Sequence, residues 1–227
     1  MKRKIAIIGA GLAGLVCADQ LSPDFKISLF DKSRGMSGRL STRRAQSGEI
    51  IFTFDHGAQY FSAKSVAFKD WLEPLEANGH VRRWQPRMVT ISAAGSVPRP
   101  TSEKFVFSPS MNSVGKVKFS EWAHQQLYLD TPVAAIDGAP GAWHLNCGES
   151  FFGPFEHVVL ALPAPQALAL LPSHADFAER VQGVQMLGCH TLMLGYLPEN
   201  DIAADWHCAF FDDALLGFAA FNSSKPD

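Results

Sequence analysis

The sequence has no positive excess of charge: 20 lysines and arginines stand against 22 acids, a net charge of −2 over 227 residues. General nucleic-acid and membrane-surface binders work through a positive excess, so both classes are excluded as expectations. Cysteine is scarce too. Cys17, Cys147, Cys189 and Cys208 are widely spaced with no C-x-x-C, which excludes a disulfide framework and fits a reduced compartment, with Cys17 as buried filler in a first helix. Cys189-His190 and His207-Cys208 form two tempting pairs, but neighbours on a strand point to opposite faces, so each pair offers one ligand and no metal site is expected. Missing as well are a G-x-S-x-G nucleophile elbow, a Walker lysine motif and H-E-x-x-H, and with them the hydrolase, nucleotide-triphosphatase and zinc-protease mechanisms they serve. There is no repeat, low-complexity tract or clear linker.

What is present is concentrated between Lys4 and Asp31. An apolar run, Ile5 to Ile8, turns through Gly9-Ala10-Gly11-Leu12-Ala13-Gly14, continues as a small-and-apolar helical segment to Leu21, and returns in a second strand closing on Asp31. That is a βαβ unit with a job for each part if a dinucleotide binds. Gly9 permits the tight turn, Gly11 admits a pyrophosphate, Gly14 lets helix and strand pack closely, and the helix N-terminus offers N–H groups to phosphate. Asp31, twenty residues beyond Gly11, stands where an acid accepts hydrogen bonds from a ribose diol. The basic start, Met1-Lys2-Arg3-Lys4, before fourteen uncharged residues also resembles a secretory signal. Its apolar run is too short to span a bilayer, and cleavage would remove the glycines that give Asp31 its role, so the expected location is cytoplasmic.

Immediately after Asp31, Lys32, Arg34, Arg39, Arg43 and Arg44 fall within thirteen residues free of acids, which suits contact with phosphate or carboxylate. Ile50 to Phe54 reads as a short, largely buried strand. Ser65 to Asn78 has helical spacing, stopped by Gly79 and kinked or shortened by Pro74. His80 to Ser108 reads as antiparallel strands, Phe119 to Leu127 as a helix, and Val133 to Ile136 with Ala142 to Cys147 as strands flanking a Gly138 to Gly141 turn. His157 to Leu162 is a fully apolar strand feeding a helix through Leu171, a pattern of parallel sheets covered on both faces, so it is expected to rejoin the first βαβ unit. Cys189 to Leu197 and Ala209 to Phe221 read as further strands. The fold class is α/β: a Rossmann-like dinucleotide-binding domain, 1–62 and 129–172, interleaved with a mixed, strand-rich domain, 63–128 and 173–227.

Several separate motifs, FDKSRGMSGRLSTRR, FDHGAQYFSA, HVVLALPAPQALALL and FNSSKP, resemble in their order the renalase-like flavoproteins of the flavin amine oxidase superfamily. The resemblance runs from Lys4 essentially to the C-terminus. It implies FAD held in an extended pose across the Rossmann-like domain, with the strand-rich domain covering the flavin ring. On the matching positions, Gly9, Ala10, Gly11, Leu12, Ala13 and Gly14 would hold the pyrophosphate and Asp31 the adenosine ribose, with Lys32, Ser33 and Arg34 beside it. Ser37, Gly38 and Arg39 stand where the family has Gly-Gly-Arg, and Arg39 would reach the pyrophosphate or ribityl chain. Val133 matches a position whose backbone meets adenine, and Ala161 a segment along the cofactor's far side. His56, Gly57, Ala58, Gln59 and Tyr60 would pass close to the isoalloxazine. Of these, His56 reads equally as a base or as a turn histidine satisfying backbone groups, while Gln59 and Tyr60 read as hydrogen-bonding groups or, for Tyr60, as a core aromatic with a polar handle.

The resemblance implies oxidation of a small molecule by hydride transfer to flavin N5, with dioxygen as acceptor giving hydrogen peroxide. Renalases point to misreduced dihydronicotinamide dinucleotides as substrate, the broader amine oxidases to amines. Family members also continue beyond the position matching Pro226, with a Gly-Asp motif and a final helix aimed at the flavin. The sequence is therefore expected to be a truncated relative with weakened FAD binding. Two alternatives stay open: an inactive fragment of such an enzyme, and an NAD(P)-binding dehydrogenase, which the first thirty-one residues alone would allow.

Overall fold

The structure, a computed structural model, describes residues 2–122, 125–172, 175–197, 204–213 and 215–226. Ile5, Ala6, Ile7 and Ile8 are all buried, as a strand covered on both faces requires. They lie in β1 (Arg3–Ile8), which leads through α1 (Leu12–Leu21) to β2 (Phe25–Phe30), parallel to β1 with Ile5 opposite Ile27. There follow β3 (Thr42–Ser47), β4 (Ile50–Asp55), α2 (Val66–Ala77), β5 (Val81–Trp84), β6 (Met88–Ser92), β7 (Gly95–Pro98), β8 (Lys104–Phe107) and α3 (Ser113–Glu121). The chain continues with β9 (Gln126–Tyr128), β10 (Ala135–Ala139), β11 (Ala142–Cys147), β12 (Ser150–Phe155), β13 (His157–Leu160), α4 (Ala164–Leu168), α5 (Ala178–Gln182), β14 (Cys208–Phe211) and β15 (Phe218–Ala220).

The contacts divide the chain into two units, residues 1–39 with 115–190 and residues 40–114 with 191–227. The crossovers lie at 39/40, 114/115 and 190/191, where the sequence places them at 62/63, 128/129 and 172/173. In the first unit a parallel sheet runs in the order β13-β1-β2-β9, beside an antiparallel sheet β10-β11-β12. The apolar strand His157–Leu160 does rejoin the first βαβ unit, with Ile7 opposite Val159. Phe30 anchors the core between these two sheets, stacked on Tyr128 at 4.7 Å and edge-on to Phe155 at 6.1 Å. In the second unit a sheet of order β15-β14-β6-β7 accompanies the pairs β5-β8 and β3-β4. Trp71, Leu72 and Leu75 of α2 are buried, as are Val81, Trp84, Val106, Phe107 and Met111. The serine and glycine read as the ends of this helix behave so: Ser65 Oγ accepts from Phe68 N–H at the N-cap, and Gly79 takes a positive φ of 77°.

Four readings are corrected. The strand at Ile50 is not largely buried: Ile51 is 65% exposed, because β4 has only β3 as its partner in a two-stranded hairpin. The helix expected over Phe119 to Leu127 is α3, ending at Glu121, and Gln126–Tyr128 is instead a strand pairing in parallel with β2; Ala123 and His124 lie outside the described residues. Here an open sheet edge overrides a helical spacing that only a few residues carried. Residues 189–197 alternate as a strand would but join no ladder among the described residues, and Leu192 is 82% exposed. Cys17 is half-buried rather than buried filler, since α1 turns that side only partly inward.

Candidate functional site

In the first unit the turn after β1 is built by close approach. Gly9, at φ +108°, would place a Cβ 2.5 Å from the Ala161 carbonyl oxygen, and a Cβ on Gly14 would overlap the Gly9 carbonyl oxygen. Only hydrogen fits at either position, so α1 starts pressed against the turn and Ala161 lies directly beside it. Gly11 is the N-cap of α1 in extended conformation, with no side-chain cap and no acid in the first turn. The N–H groups of Leu12, Ala13 and Gly14 therefore open the helix with neither an intrahelical acceptor nor a capping side chain, which is the donor arrangement an anion takes.

Asp31, at the tip of β2, ties this turn to the neighbouring strand. Its Oδ2 accepts from Ala10 N–H at 2.7 Å and its Oδ1 from Ser33 N–H at 2.8 Å. A carboxylate has about four acceptor positions, so two remain for hydroxyl groups. Asp31 is held further by its backbone: its N–H donates to the Tyr128 carbonyl and its carbonyl accepts from Thr131 N–H, both at 2.9 Å. That second bond brings the segment leading to Val133 close, and Val133 itself packs on the core around Phe30.

The segment from Gly35 to Arg39 folds back over the turn. Ser37 N–H donates to the Ala10 carbonyl at 2.7 Å, Ser37 bridges Gly11 as an isolated parallel pair, and a Cβ on Gly38 would come within 3.0 Å of Gly11 Cα. Ser37 is buried with φ +83°, a left-handed conformation that serine adopts rarely, and its Oγ accepts from Gly115 N–H at 3.2 Å. Gly115 in α3 is needed for this fit, since its Cβ would fall 2.6 Å from Ser37 Oγ. Sequence reading missed Gly115, whose signal was one glycine inside a helical stretch. Lys32, Arg34 and Arg39 are exposed around this segment and hold no ion pair among the described residues. The glycine cradle, the uncapped amides and these cations together fit a dinucleotide pyrophosphate.

In the second unit, His56 to Tyr60 follow β4. His56 Nε2 lies 3.1 Å from Ser41 Oγ, Gly57 N–H donates to the Ser41 carbonyl at 3.3 Å, and the His56 carbonyl accepts from Thr191 Oγ1 at 3.1 Å. His56 Nδ1 is buried with no hydrogen-bond partner among the described residues, an orphaned polar atom of the kind that marks a site awaiting a partner. Gln59 donates its side-chain amide N–H back to the Asp55 carbonyl, which directs its ligand-binding capacity to the amide oxygen, and Ala58 is half-buried. Tyr60 lies edge-on to Trp84 at 5.9 Å and to Phe218 at 6.4 Å, and burial raises its phenol above the usual value. Tyr60 is thus packed as an aromatic anchor.

Asp55, at the root of this loop, is paired with Lys225 at 2.7 Å, the two side chains 4% and 7% exposed. Burial pulls the Lys225 ammonium below its usual range and Asp55 opposes that pull. Burial also pushes the nearby Cys208 thiol up to about 11, which keeps it protonated and inert. Among the described residues no group of three or more metal-ligating side chains occurs, and no helix is long and apolar enough to cross a membrane.

Residues 7–75 match the NAD(P)-binding Rossmann-like domain family. Over 235 aligned residues the chain is 24% identical to renalase from Mus musculus, an alignment covering 98% of this chain and 67% of renalase. Its fold is similar to a crystal structure from Exiguobacterium sp. 255-15 assigned as a protoporphyrinogen oxidase, with a TM-score of 0.71 at 12% identity over 100% of this chain and 75% of that one. It is similar again to a putrescine oxidase double mutant redesigned in cofactor binding, with a TM-score of 0.54 at 13% identity over 80% of this chain and 63% of that one. The fold is therefore mixed α/β with a parallel sheet and a Rossmann-like domain, of the kind these oxidases share.

Proposed function

We propose that this chain is a flavin-dependent oxidoreductase that binds FAD and oxidises a small reduced molecule, a dihydronicotinamide dinucleotide before an amine. The observation that carries the reading is the return of Gly35 to Arg39 onto the glycine turn, through Ser37 N–H on the Ala10 carbonyl and Gly38 against Gly11. An NAD(P)-binding dehydrogenase would use the turn and Asp31 but leave this second, cation-bearing layer without a task. In the proposed complex the first-turn amides of α1 and Arg39 hold the pyrophosphate, and the remaining acceptor positions of Asp31 take the adenosine ribose. Lys32, Ser33, Arg34 and the Val133 segment border the adenosine end, and Ala161 closes the far side of the turn. For the ring we assign His56 Nδ1, the Gln59 oxygen and the backbone at Gly57 and Ala58 as hydrogen-bonding groups, with Tyr60 as a packing surface. Bound FAD would supply a two-electron acceptor that dioxygen reoxidises, giving hydrogen peroxide. No acid or base with a strongly shifted pKa is then required of the protein, whose work is to bind, orient and exclude water.

The preference for a dinucleotide rests on similarity to renalase along 98% of the chain. The chain loaded with FAD is mixed under air with isomers of reduced nicotinamide dinucleotide, and separately with putrescine, while peroxide and oxidised product are followed. Peroxide formed one for one with oxidised dinucleotide is the expected result. Peroxide from the amine alone would replace the substrate assignment, and peroxide from neither would overturn the activity.

A further inference from the structure

Asp55 and Lys225 stand 170 residues apart, yet their buried ion pair lies at the start of the His56 to Tyr60 loop. Asp55 Oδ1 accepts from Thr42 Oγ1 at 2.6 Å and from Met111 N–H at 3.1 Å, while Oδ2 takes the Lys225 ammonium. Asp55 N–H donates to Asn222 Oδ1 at 3.3 Å, and Asn222 in turn donates to the Thr53 carbonyl at 3.1 Å. Thr42 Oγ1 also accepts from Asn112 N–H at 3.3 Å. Three other stretches of chain thus converge on the carboxylate at the end of β4: the start of β3, the turn before α3, and Lys225 just beyond the 3-10 turn Asn222–Ser224, whose Asn222 holds the Asp55 backbone.

The two residues next along from this clamp touch each other. Thr42 and Asp55 are opposite one another in the β3-β4 ladder, and the residues beyond them, Ser41 and His56, meet through Oγ and Nε2 at 3.1 Å. Fixing Thr42 to Asp55 therefore fixes where Ser41 can meet the imidazole, and so where the orphaned Nδ1 faces. We propose that Asp55 and Lys225 are positioning residues for the His56 to Tyr60 loop, an ion pair that sets the loop's geometry rather than serving only to stabilise the fold. The ligand of that loop is the one named under Proposed function; the positioning itself can be tested with no ligand present. A buried pair is seldom a stabilising device in itself, because desolvation of both charges consumes much of their attraction. Its retention at the root of a loop carrying an unpartnered imidazole nitrogen gives it another use.

The test compares Asp55→Asn with the double variant Asp55→Asn/Lys225→Met in the full chain, reading thermal stability and amide hydrogen exchange. The single variant leaves a buried ammonium unpaired and is expected to lower Tm by about 10 °C. Removing both charges is expected to restore at least half of that loss. In the restored double variant the amides of residues 56–60 are expected to exchange about tenfold faster than in the wild type, with residues 5–8 of β1 unchanged. Wild-type exchange at 56–60 with Tm restored would show a purely structural pair and overturn the proposal. Should the double variant not fold, Thr42→Val serves: it keeps the ion pair and removes the hydroxyl of the clamp, so faster exchange at 56–60 supports the proposal and unchanged exchange overturns it. FAD uptake by the wild type, followed by visible absorbance, decides the flavin reading separately.

Discussion

Asp31 joins the glycine turn to the tip of β2. Its carboxylate closes the glycine turn by accepting from Ala10 N–H and Ser33 N–H, and in the proposed complex its remaining acceptor positions take the adenosine ribose. On that proposal Asp31→Ala removes a ligand contact and loosens the turn at once. Loss of charge-assisted bonds of this kind costs about 1.5–3 kcal/mol, so FAD affinity measured by fluorescence titration is expected to fall about 10- to 100-fold, with Asp31→Asn intermediate. His207 gives a prediction in pH. Its Nδ1 accepts from Arg87 N–H at 3.0 Å, and burial with the nearby Arg87 charge holds its pKa below the usual value. On acidification the unfolded chain takes up this proton first, so the stabilising contribution of neutral His207 is complete above about pH 6.5 and is lost as pH falls toward the lower folded value. Urea midpoints between pH 7.5 and 5 are expected to fall less in His207→Asn than in the wild type. An equal fall would assign the acid sensitivity to other groups.

At the scale of elements, the account depends on how tightly α1 is set on its turn. A methyl at Gly14 overlaps the Gly9 carbonyl oxygen, and that neighbour is backbone with no rotamer to yield. Gly14→Ala is expected to cost about 2 kcal/mol or more of stability in urea unfolding despite alanine's better helix propensity. A neutral or stabilising effect would mean that helix and turn are less close than described. Elements that carry their own boundary chemistry were legible in the sequence. α2 announces itself by the Ser65 cap, the Trp71, Leu72 and Leu75 stripe and the stop at Gly79, and β13 by a continuous apolar run that does pair in parallel with β1, although at the sheet edge its residues are at most half-buried and not covered on both faces. What could not be read locally was decided by partners. Gln126–Tyr128 is a strand because β2 offers it an edge, whereas residues 189–197, with the alternation of a strand, join no ladder among the described residues.

For the molecule as a whole, the candidate site was legible as motifs and illegible as a clamp. The glycines, Asp31 and the arginine-bearing segment sit in one short stretch, where spacing carries the meaning. The bond from Ser37 to Gly115 and the pair of Asp55 with Lys225 join residues 78 and 170 positions apart, and no spacing rule connects them. The interleaving of the two units, with crossovers at 39/40, 114/115 and 190/191, is what places such distant residues together. The central claim is that the turn from Gly9 to Gly14 holds the pyrophosphate of FAD. Gly11 is the position that tests it most directly, because a Cβ there meets nothing nearer than Gly38 Cα at 3.9 Å and so leaves the fold undisturbed, while on this claim it would stand in the path of the phosphate. FAD is titrated into the wild type and into Gly11→Ala, with visible absorbance and Tm read together. The account predicts bound flavin in the wild type and an affinity at least about tenfold weaker in Gly11→Ala at unchanged Tm, a loss of about 1.4 kcal/mol. A wild type that takes up no flavin at about 100 μM FAD, roughly −5.5 kcal/mol of binding, or a Gly11→Ala variant that binds as tightly, would contradict it.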